Sequence, residues 1–424
     1  AVRRCGTIRP PAALAALGAL LRLSTLSAMA SAEPPLNAYL ANSLRALQQP
    51  NPARVLAVLG NEAGDADSCV CAIGMARLLA HVAPPEDHRI IVPVLSVPRA
   101  DFALQLDRLH LLRRAGLRGT GEGVCWRPSD VAFVDDVDLA GLHALGRLDL
   151  CLVDHNRLSQ PLAGLADCVQ LIVDHHVDEG GLQAVHGAAR LVEVGIGSCA
   201  SLVTEQLASR APILLADGML CSLLLGAVLL DTANLTPAAK AQKPREVEIA
   251  NTLLAAAALH LRLKPTAAGR DAYFDELQTA KTDLAALLAF PDLDLLRQDY
   301  KGETLAGSSV TCGVSSVVIP GDRLLAAKPE LPVAMEHFAR DRGLELCLLM
   351  CLDTSTRRRQ LLVHSAQPAL LSSLVGHMQQ AGLALLELPQ AGQGEASPTV
   401  LCFEQGNAKV GRKLLMPMLR SFVG

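Results

Sequence analysis

The sequence predicts an α/β protein with a doubly wound, mostly parallel sheet and a second, smaller α+β domain toward the C-terminus. The first observation is the length, because 424 residues exceed what a single core usually organises. The second is the alternation of near-continuous aliphatic runs with helical segments, which is typical of a parallel sheet covered on both faces. The third is a polar stretch with Pro and Lys, TPAAKAQKPREVE at 236–248, which precedes a different set of strand runs.

The predicted strands of the first domain are short runs rich in Val, Leu and Ile. They lie at 54–61, 90–97, 131–139, 148–156 and 169–176. The predicted helices of this domain lie at 67–82, 198–210 and 219–235. For the second domain the patterns predict a helix at 273–290 and strands at 310–319, 344–353 and 359–365.

These elements divide the chain into four parts. They are a leader or disordered extension at 1–34, the sheet domain at 35–240, a linker at 241–255 and the smaller domain at 256–424.

The leader contains four arginines and has no acidic residue before Glu33. The first hypothesis is a cytoplasmic protein with a disordered extension, or with upstream translated sequence before a true start at Met29. The alternative is a mitochondrial or plastid location, because the composition of the leader is typical of organellar transit peptides. Arg22 interrupts the apolar stretch, which argues against a membrane span there.

The overall composition argues against nucleic-acid and membrane partners. The net charge is about −4 and aromatic residues make up 3% of the chain, so neither a basic field nor a base-stacking surface is expected. None of the 12 cysteines forms a CxxC pair, which favours buried free thiols in a reducing compartment.

Polar residues that can bind a cation follow several of the apolar runs. The candidates are Asn61, Asp65 and Asp67 in GNEAGDADS, then Asp154-His155-Asn156, then Asp174-His175-His176, and finally Asp231. Because the carboxyl ends of parallel strands meet at one edge of a sheet, these side chains are expected to face one crevice.

Carboxylates crowded together in a partly dry site repel each other, and bound cations remove that repulsion. Asp and His ligands without thiolates suit Mn²⁺, Mg²⁺ or Co²⁺, and there are enough of them for two ions. Two such ions are a known means of activating water for attack on a phosphoryl group.

Each candidate also has a structural interpretation. Asp67 is consistent with a helix N-cap, Asp154 with a turn residue and Asp231 with a cap for the next segment. The adjacent pair His175-His176 is harder to explain this way, because two buried imidazoles without partners are unfavourable.

The motifs GNEAGDADS, VDHN, VDHH and LLDTANL resemble those of the DHH phosphoesterase superfamily. Within it, the chain is similar to the branch of exopolyphosphatases and prune-type proteins, which is related to family II inorganic pyrophosphatases. The resemblance continues in segments of lower specificity at 197–207, 276–284, 299–301 and 405–419.

The resemblance implies a role for each matching residue. The implied metal ligands are Asp65, Asp67, Asp154 as the bridging ligand, His175 and Asp231. His176 would contact substrate oxygen or protonate the leaving phosphate, so His176 and Asp154 are the implied catalytic residues. The implied outer-sphere residues are Asn61 and Asp174, the latter orienting His175. The implied substrate-binding residues are Arg412, Lys413, Lys281 and His176.

Two departures from related patterns shape the functional hypothesis. Family II pyrophosphatases have a histidine where this chain has Asn61, and an asparagine is expected to hold one ion more weakly. The order DHN then DHH resembles exopolyphosphatases more than the DHH then DHR order often found in prune-type proteins. A further basic cluster, Arg357–Arg359, is interpreted as a solvated loop, with binding of the distal polymer as the alternative.

The resulting hypothesis is a metal-dependent exopolyphosphatase that hydrolyses terminal phosphoanhydride bonds of inorganic polyphosphate, with a short-chain polyphosphatase as its nearest variant. The first alternative is hydrolysis of pyrophosphate or a cyclic nucleotide by the same superfamily of site. The second alternative is a prune-like regulatory or scaffold protein that keeps the fold without turnover.

Overall fold

A computed structural model describes residues 33–123, 126–180, 182, 189–236, 244–305, 310–388 and 400–422. Most of the predicted leader therefore lies outside the described residues. Glu33, near the C-terminal end of the predicted leader, is described. It pairs with Arg77 at 2.8 Å and with His81 at 3.1 Å, and these contacts hold it to the first unit.

The chain divides into two compact units, the first ending at Lys281 and the second beginning at Thr282. This division is later than the expected linker at 241–255. Residues 241–243 are outside the described part, and Pro244–Leu261 is a helix of the first unit. Its positions Ile249, Leu253 and Leu254 are buried in the larger core, so the apolar spacing of this segment forms a helix face instead of a linker.

The first unit contains six strands of one sheet and a separate two-stranded ribbon. The strands of the unit are β1 (Val55–Leu59), β2 (Ile90–Leu95), β3 (Gly119–Thr120), β4 (Arg127–Pro128), β5 (Ala132–Phe133), β6 (Leu148–Val153), β7 (Val169–Asp174) and β8 (Ala189–Val192). Its α-helices are α1 (Leu36–Leu47), α2 (Ala66–Val82), α3 (Arg99–Phe102), α4 (Leu106–Arg114), α5 (Leu139–Ala144), α6 (Cys199–Arg210), α7 (Gly218–Asp231), α8 (Pro244–Leu261) and α9 (Ala267–Lys281). Its 3₁₀ turns are Val134–Asp136, Gln160–Cys168 and Pro212–Ala216.

The six-stranded sheet has the order β5-β2-β1-β6-β7-β8, and all of its strand pairs are parallel. The chain moves from β1 to β2 on one side and returns to β6 on the other, so the strand order reverses between β1 and β6. This topology confirms the predicted doubly wound parallel sheet.

The sheet is covered on both faces, as its aliphatic strands predict. In β1 the side chains of Leu56 and Val58 belong to one hydrophobic cluster, and those of Val55, Ala57 and Leu59 belong to another. Alternate residues of a strand point to opposite faces, so one strand contributes to two cores.

The strand predicted at 131–139 is much shorter in the structure. Only Ala132–Phe133 pairs with β2, and a 3₁₀ turn follows at Val134–Asp136. The carboxylate of Asp136 accepts a hydrogen bond from the backbone N–H of Phe133 at 2.9 Å, so a local cap competes with extension of the strand.

The second unit is a mixed sheet with helices, as the α+β prediction requires. Its helices are α10 (Leu284–Leu288), α11 (Asp292–Leu295), α12 (Gly321–Ala327), α13 (Leu331–Asp341), α14 (Pro368–Gln380) and α15 (Arg412–Arg420). Its strands are β9 (Lys301–Thr304), β10 (Thr311–Val317), β11 (Leu346–Leu352), β12 (Arg359–His364), β13 (Leu385–Glu387) and β14 (Val400–Gln405). The strand order is β13-β14-β12-β11-β10-β9, in which β10 and β11 are parallel and the other pairs are antiparallel.

The single helix predicted at 273–290 is two helices in the structure. It is interrupted after Lys281, and Asp283 caps the next helix by accepting a hydrogen bond from the N–H of Ala286 at 3.1 Å. An Asp at this position favours a new helix start over continuation.

Among the described residues, none of the helices combines the length and the apolar content that a membrane crossing requires.

Candidate active site

The crevice at the carboxyl ends of β1 and β6 lies where the strand order of the first sheet reverses. Ligands of doubly wound proteins bind at such points. Asn61 follows β1 and Asp154 follows β6, and the Nδ2 group of Asn61 donates a hydrogen bond to Oδ2 of Asp154 at 2.8 Å. Two polar residues 93 positions apart are thus joined by the topology of the sheet.

The loop between β1 and α2 is folded around Asn61 and Asp65. Oδ1 of Asn61 accepts a hydrogen bond from the N–H of Gly64, whose φ of +52° is in the left-handed region that favours glycine. Asp65 is the N-cap of α2, and its Oδ1 accepts from the N–H of Ser68 at 2.9 Å. The cap interpretation, which the sequence analysis considered for Asp67, therefore applies to Asp65.

Asp67 lies in the first turn of α2 with a side chain that is 2% exposed. Its carboxylate accepts hydrogen bonds from Ser198 Oγ at 2.8 Å, from the N–H of Cys199 at 2.6 Å and from the N–H of Ala200 at 2.8 Å. These donors form the N-terminus of α6, where the free N–H groups and the helix dipole favour a negative charge. They hold Asp67 in one orientation.

Asp154 is fully buried, yet its carboxylate is incompletely satisfied. Its φ is +62°, a conformation that Asp and Asn tolerate better than most residues. Its Oδ1 has no hydrogen-bond partner among the described residues, although Nε2 of His175 lies 3.2 Å away. A buried carboxylate oxygen without a donor is unfavourable unless a cation is bound to it.

His175 directs one ring nitrogen at three carboxylates. Its Nδ1 donates to the carbonyl of Ile196 at 3.1 Å, so Nε2 is the nitrogen that would bind a cation after releasing its proton. Nε2 lies 3.9 Å from Asp67 Oδ2, 3.2 Å from Asp154 Oδ1 and 3.9 Å from Asp231 Oδ2.

His176 lies against Asp174 and has an exposed side. Its Nδ1 lies 2.9 Å from Oδ1 of Asp174, while 56% of the side chain remains exposed. Asp174 is fully buried and also accepts from the backbone N–H groups of His175 and His176. The Nδ2 group of Asn156 donates to the other oxygen of Asp174 at 2.5 Å, so the loop after β7 is fixed from β6.

We name Asp67, Asp154, His175, His176 and Asp231 the carboxyl-end cluster. Burial and the charge of Asp67 raise the pKa of Asp154 to about 7 and that of Asp231, whose side chain is 36% exposed, to about 9. Burial alone would lower the pKa of His175, but its contacts with Asp154 and Asp67 raise it to about 10. Two imidazoles cannot neutralise three carboxylates, so without bound cations the carboxylates of the cluster take up protons.

The residues of the carboxyl-end cluster fit divalent cations. The cluster contains two groups of three possible ligand atoms, and within each group the atoms lie within 4.8 Å of one another. One group comes from Asp154, His175 and His176, and the other comes from Asp67, His175 and Asp231. Neighbouring ligand atoms of a six-coordinate Mg²⁺ site lie about 3 Å apart. The distance of 3.2 Å between Nε2 of His175 and Oδ1 of Asp154 is close to this value. The unsatisfied Oδ1 of Asp154 points to the same conclusion.

Asp65 is not part of either group. Its Oδ1 is occupied by the helix cap, and its Oδ2 lies 3.3 Å from the Nδ2 group of Asn61. Asn61 therefore links Asp65 to Asp154 as a hydrogen-bond donor. The predicted roles of Asp65 as a ligand and Asn61 as an outer-sphere residue remain predictions.

A cavity of about 470 Å³ adjoins the cluster through Asn61 and His155. Its walls come from the ends of β1, β2 and β6, including Ser96 and Arg157. Nδ1 of His155 donates to the carbonyl of Val153 at 2.8 Å, and burial lowers the pKa of this ring. The lining of the cavity thus includes a histidine whose neutral form is favoured by burial.

The predicted basic substrate residues lie in less buried surroundings. Arg412 begins α15, is 19% exposed and pairs with Asp299 at 2.6 Å. The backbone of Lys413 belongs to the same helix, and its side chain lies outside the described part of the chain. Lys281, at the end of α9, is exposed and lies 3.9 Å from Asp107.

Comparison with known proteins places these features in a family. The model of the N-terminal domain of the DHH family matches residues 55–230, and the model of the DHHA2 domain matches residues 275–422. The mouse exopolyphosphatase PRUNE1 is 30% identical over 386 residues, which are 90% of this chain and 78% of that protein. The human exopolyphosphatase PRUNE1 is 30% identical with the same coverage.

The chain belongs to the DHH phosphoesterase family, in its branch of PRUNE1-type exopolyphosphatases. Among solved structures, a Methanococcus jannaschii protein assigned to the family II inorganic pyrophosphatases covers 86% of this chain and 98% of its own, with 17% identity and a TM-score of 0.46. The two family models and the PRUNE1 relatives confirm the resemblance found in the sequence motifs.

The DHH match includes every residue of the carboxyl-end cluster except Asp231, which directly follows its last residue. The DHHA2 match includes Lys281, Arg412 and Lys413. The two sets of predicted residues therefore fall in separate family domains.

Two residues that hold the cluster were not assigned a role from the sequence. In the sequence, Ser198 was only the first residue of a predicted helix, and Asn156 was only one of several polar residues after the fourth predicted strand, without a specific role. A serine before an apolar helix gives the N-cap signal, but nothing local in the sequence indicates that Asp67 is its distant partner. The Arg357–Arg359 cluster pairs locally, Arg358 with Glu404 at 2.7 Å and Arg359 with the carbonyl of Ala408 at 2.9 Å.

Proposed function

We propose that this member of a family of phosphoanhydride hydrolases is an exopolyphosphatase, which releases phosphate from the end of inorganic polyphosphate with two divalent cations, Mn²⁺ or Mg²⁺. The observation that carries the proposal is the buried Asp154, whose unpaired Oδ1 lies beside His175 among further carboxylates. Carboxylate oxygens together with an imidazole nitrogen suit Mn²⁺ or Mg²⁺, with Co²⁺ as a substitute. They suit less well the metals that prefer thiolate ligands.

The ligands proposed for the cations are Asp65, Asp67, Asp154, His175 and Asp231. Bound there, two cations would supply an activated water and neutralise charge on the phosphoryl group. Asp154 would bridge the pair because its buried Oδ1, 3.2 Å from Nε2 of His175, has no hydrogen-bond partner among the described residues. Asn61, by donating to Asp154, would keep its second oxygen in place.

His176 is the proposed proton donor and charge partner for the leaving phosphate. The hydrogen bond with Asp174 raises the pKa of His176, so the ring keeps a proton closer to neutral pH than a free imidazole does. With Nδ1 committed to Asp174, Nε2 is the nitrogen available to a substrate oxygen. General acid catalysis needs a donor within hydrogen-bond reach of the leaving group and with a pKa near the working pH, and the accessible Nε2 of His176 is suited to both.

Arg412 and Lys413 are the proposed phosphate-binding residues of the second unit, and Lys281 is a further candidate. A guanidinium can form two parallel hydrogen bonds with a phosphate group. Nε of Arg412 is buried and has no hydrogen-bond partner among the described residues, while Asp299 holds another of its nitrogens. Asp299 would orient the side chain and leave donors for the substrate.

The first test is phosphate release from purified protein with Mn²⁺, Mg²⁺ or Co²⁺. The substrates are linear polyphosphates of defined length, pyrophosphate and a cyclic nucleotide. We expect turnover of polyphosphate, with the dependence on length defining the preferred polymer. Equal or faster turnover of pyrophosphate or of the cyclic nucleotide would overturn this substrate assignment, and a folded, cation-bound protein that cleaves none of them would favour a scaffold role.

The second test separates substrate binding from cation binding. We expect Arg412→Ala to raise the KM for polyphosphate about tenfold or more, since a charge-assisted contact with phosphate is lost, while cation stoichiometry is unchanged. Arg420→Ala is the matched control, because Arg420 is in the same helix and also pairs with one carboxylate, that of Glu303. An equal change in KM for both variants would argue against a specific role for Arg412.

A further inference from the structure

A second group of possible metal ligands lies at the other end of the first sheet. It consists of His143, Asp167 and Cys168, which we name the amino-end cluster. His143 is near the end of α5, shortly before β6 begins, and Cys168 directly precedes β7. Because β6 and β7 are parallel, this edge is separated from Asp174 by the length of a six-residue strand, about 20 Å.

The three side chains offer three kinds of donor atom in one place. Nε2 of His143 lies 3.2 Å from Oδ2 of Asp167, and Sγ of Cys168 lies 3.9 Å from Oδ1 of the same carboxylate. All three ligand atoms are within 4.8 Å of one another. In a tetrahedral zinc site the nitrogen and oxygen ligands are about 3.3 Å apart, and a sulfur lies about 3.6 Å from either. Small side-chain movements are therefore sufficient to bring the atoms to these distances.

A simple hydrogen bond between His143 and Asp167 does not account for Cys168. The described part of the chain contains ten free cysteines, all of them buried, and Cys168 alone among these belongs to a group of potential metal ligands. Its neighbour Asp149 is not available as a further ligand, because it already pairs with Arg54 and Arg89. The exposed Asp167 and the half-buried His143 leave one side of the group accessible to an ion.

We propose that the amino-end cluster is a separate metal site that binds a borderline divalent cation such as Zn²⁺ through His143 Nε2, a carboxylate oxygen of Asp167 and Cys168 Sγ. A thiolate, an imidazole and a carboxylate together favour Zn²⁺ or Co²⁺ over Mg²⁺, in contrast to the ligands of the carboxyl-end cluster. The thiol of Cys168 forms the metal–sulfur bond and releases its proton to solvent, one proton for each ion bound. The bound ion joins α5 to the start of β7.

The site is tested with Co²⁺ as the probe, because a cobalt–thiolate bond gives a charge-transfer absorption in the near ultraviolet. The metal-stripped full chain is titrated with Co²⁺ alone, and we expect about one thiolate-bound ion per chain. Cys168→Ser should abolish this absorption, and His143→Gln should weaken the binding of that ion about tenfold or more. His143→Gln provides the second test if Cys168→Ser does not fold.

The matched control is Cys402→Ser, since Cys402 and Cys168 are both 6% exposed. Cys71→Ser is the second control, because Sγ of Cys71 lies 3.4 Å from Asp67, a proposed ligand of the carboxyl-end cluster. Both controls should keep the absorption. The proposal is overturned by the lack of any thiolate absorption at saturating Co²⁺, by its persistence in Cys168→Ser, or by its loss in Cys71→Ser.

Discussion

Each end of strand β6 carries an aspartate, and the two aspartates are equally buried but have neighbours of opposite charge. Asp149, at the start of the strand, and Asp154, directly after its end, are each 2% exposed. Asp149 accepts hydrogen bonds from Arg54 at 2.6 and 2.8 Å and from Arg89 at 3.2 Å. Asp154 has no guanidinium partner among the described residues and faces other carboxylates.

The difference shows that burial alone does not separate a structural carboxylate from a functional one. A buried carboxylate stabilises a fold only when its charge is matched, as at Asp149. At Asp154 the charge is unmatched, and its pKa is raised by burial and by the charge of Asp67. Such a position is retained against its energetic cost when it holds a ligand.

The comparison is tested most strongly by Asp154→Asn. Asn tolerates the positive φ of this position and keeps the side-chain volume, so the fold should persist. Loss of outer-sphere partners of a metal typically costs 10–100-fold, so loss of a bridging ligand should lower phosphate release about 100-fold or more. The measurement is Mn²⁺-dependent turnover together with the unfolding midpoint without metal. Near-normal turnover in the folded variant would refute the two-cation assignment.

Asp149→Asn is the matched change at the other end of the strand. It leaves Arg54 and Arg89 without their shared partner, so we expect the free energy of unfolding to fall by about 1–3 kcal/mol. The lower half of this range is favoured because Arg54 is 55% exposed. Urea denaturation measures the loss, and turnover of the folded fraction should stay near that of the parent protein. If Asp149→Asn instead removed activity and spared stability, the contrast between the two ends would fail.

Ser198→Ala tests whether the N-terminus of α6 positions Asp67. The variant removes one of the donors to this carboxylate and keeps the N–H groups of Cys199 and Ala200. We expect Mn²⁺ affinity to fall about tenfold, with kcat restored at saturating Mn²⁺. Ser198→Thr keeps the hydroxyl and serves as the control. Equal affinities in Ser198→Ala and the parent protein would remove Ser198 from the metal site.

The pH dependence of stability provides the smallest expected effect. The raised pKa of Asp154, about 7, lies above its value of about 3.9 in the unfolded chain, so its favourable protonation is lost as pH rises through 7. The raised pKa of His175 acts in the same direction. The Tm of the metal-free protein should therefore fall by a few degrees between about pH 5 and about pH 8, and less so in Asp154→Asn. With Mn²⁺ present the trend should reverse, because the ions replace these protons.

Much of the fold was predictable because the local signals agreed with the tertiary arrangement. The strands expected at 54–61, 148–156 and 169–176 are present as β1, β6 and β7, and the helix expected at 67–82 is α2. The expected linker failed for a physical reason, since an amphipathic segment such as Pro244–Leu261 forms a helix when a core covers its apolar face.

The candidate site was predictable in part. The sequence indicated that Asp154, His175 and Asp231 would meet, and they do. The sequence could not decide which of Asp65 and Asp67 would cap α2, because both lie at the start of the same helix. The deciding contacts come from Ser198, more than 100 residues away.

By itself, the sequence determined the kinds of side chain at the strand ends and, through the aliphatic runs, the sheet that gathers them at one edge. Only the tertiary structure decided how each is used. The N-terminus of α6 fixes Asp67, and the carbonyl of Ile196 turns His175 toward Asp154. These choices depend on hydrogen bonds between distant segments, and such bonds exist only after those segments have packed together.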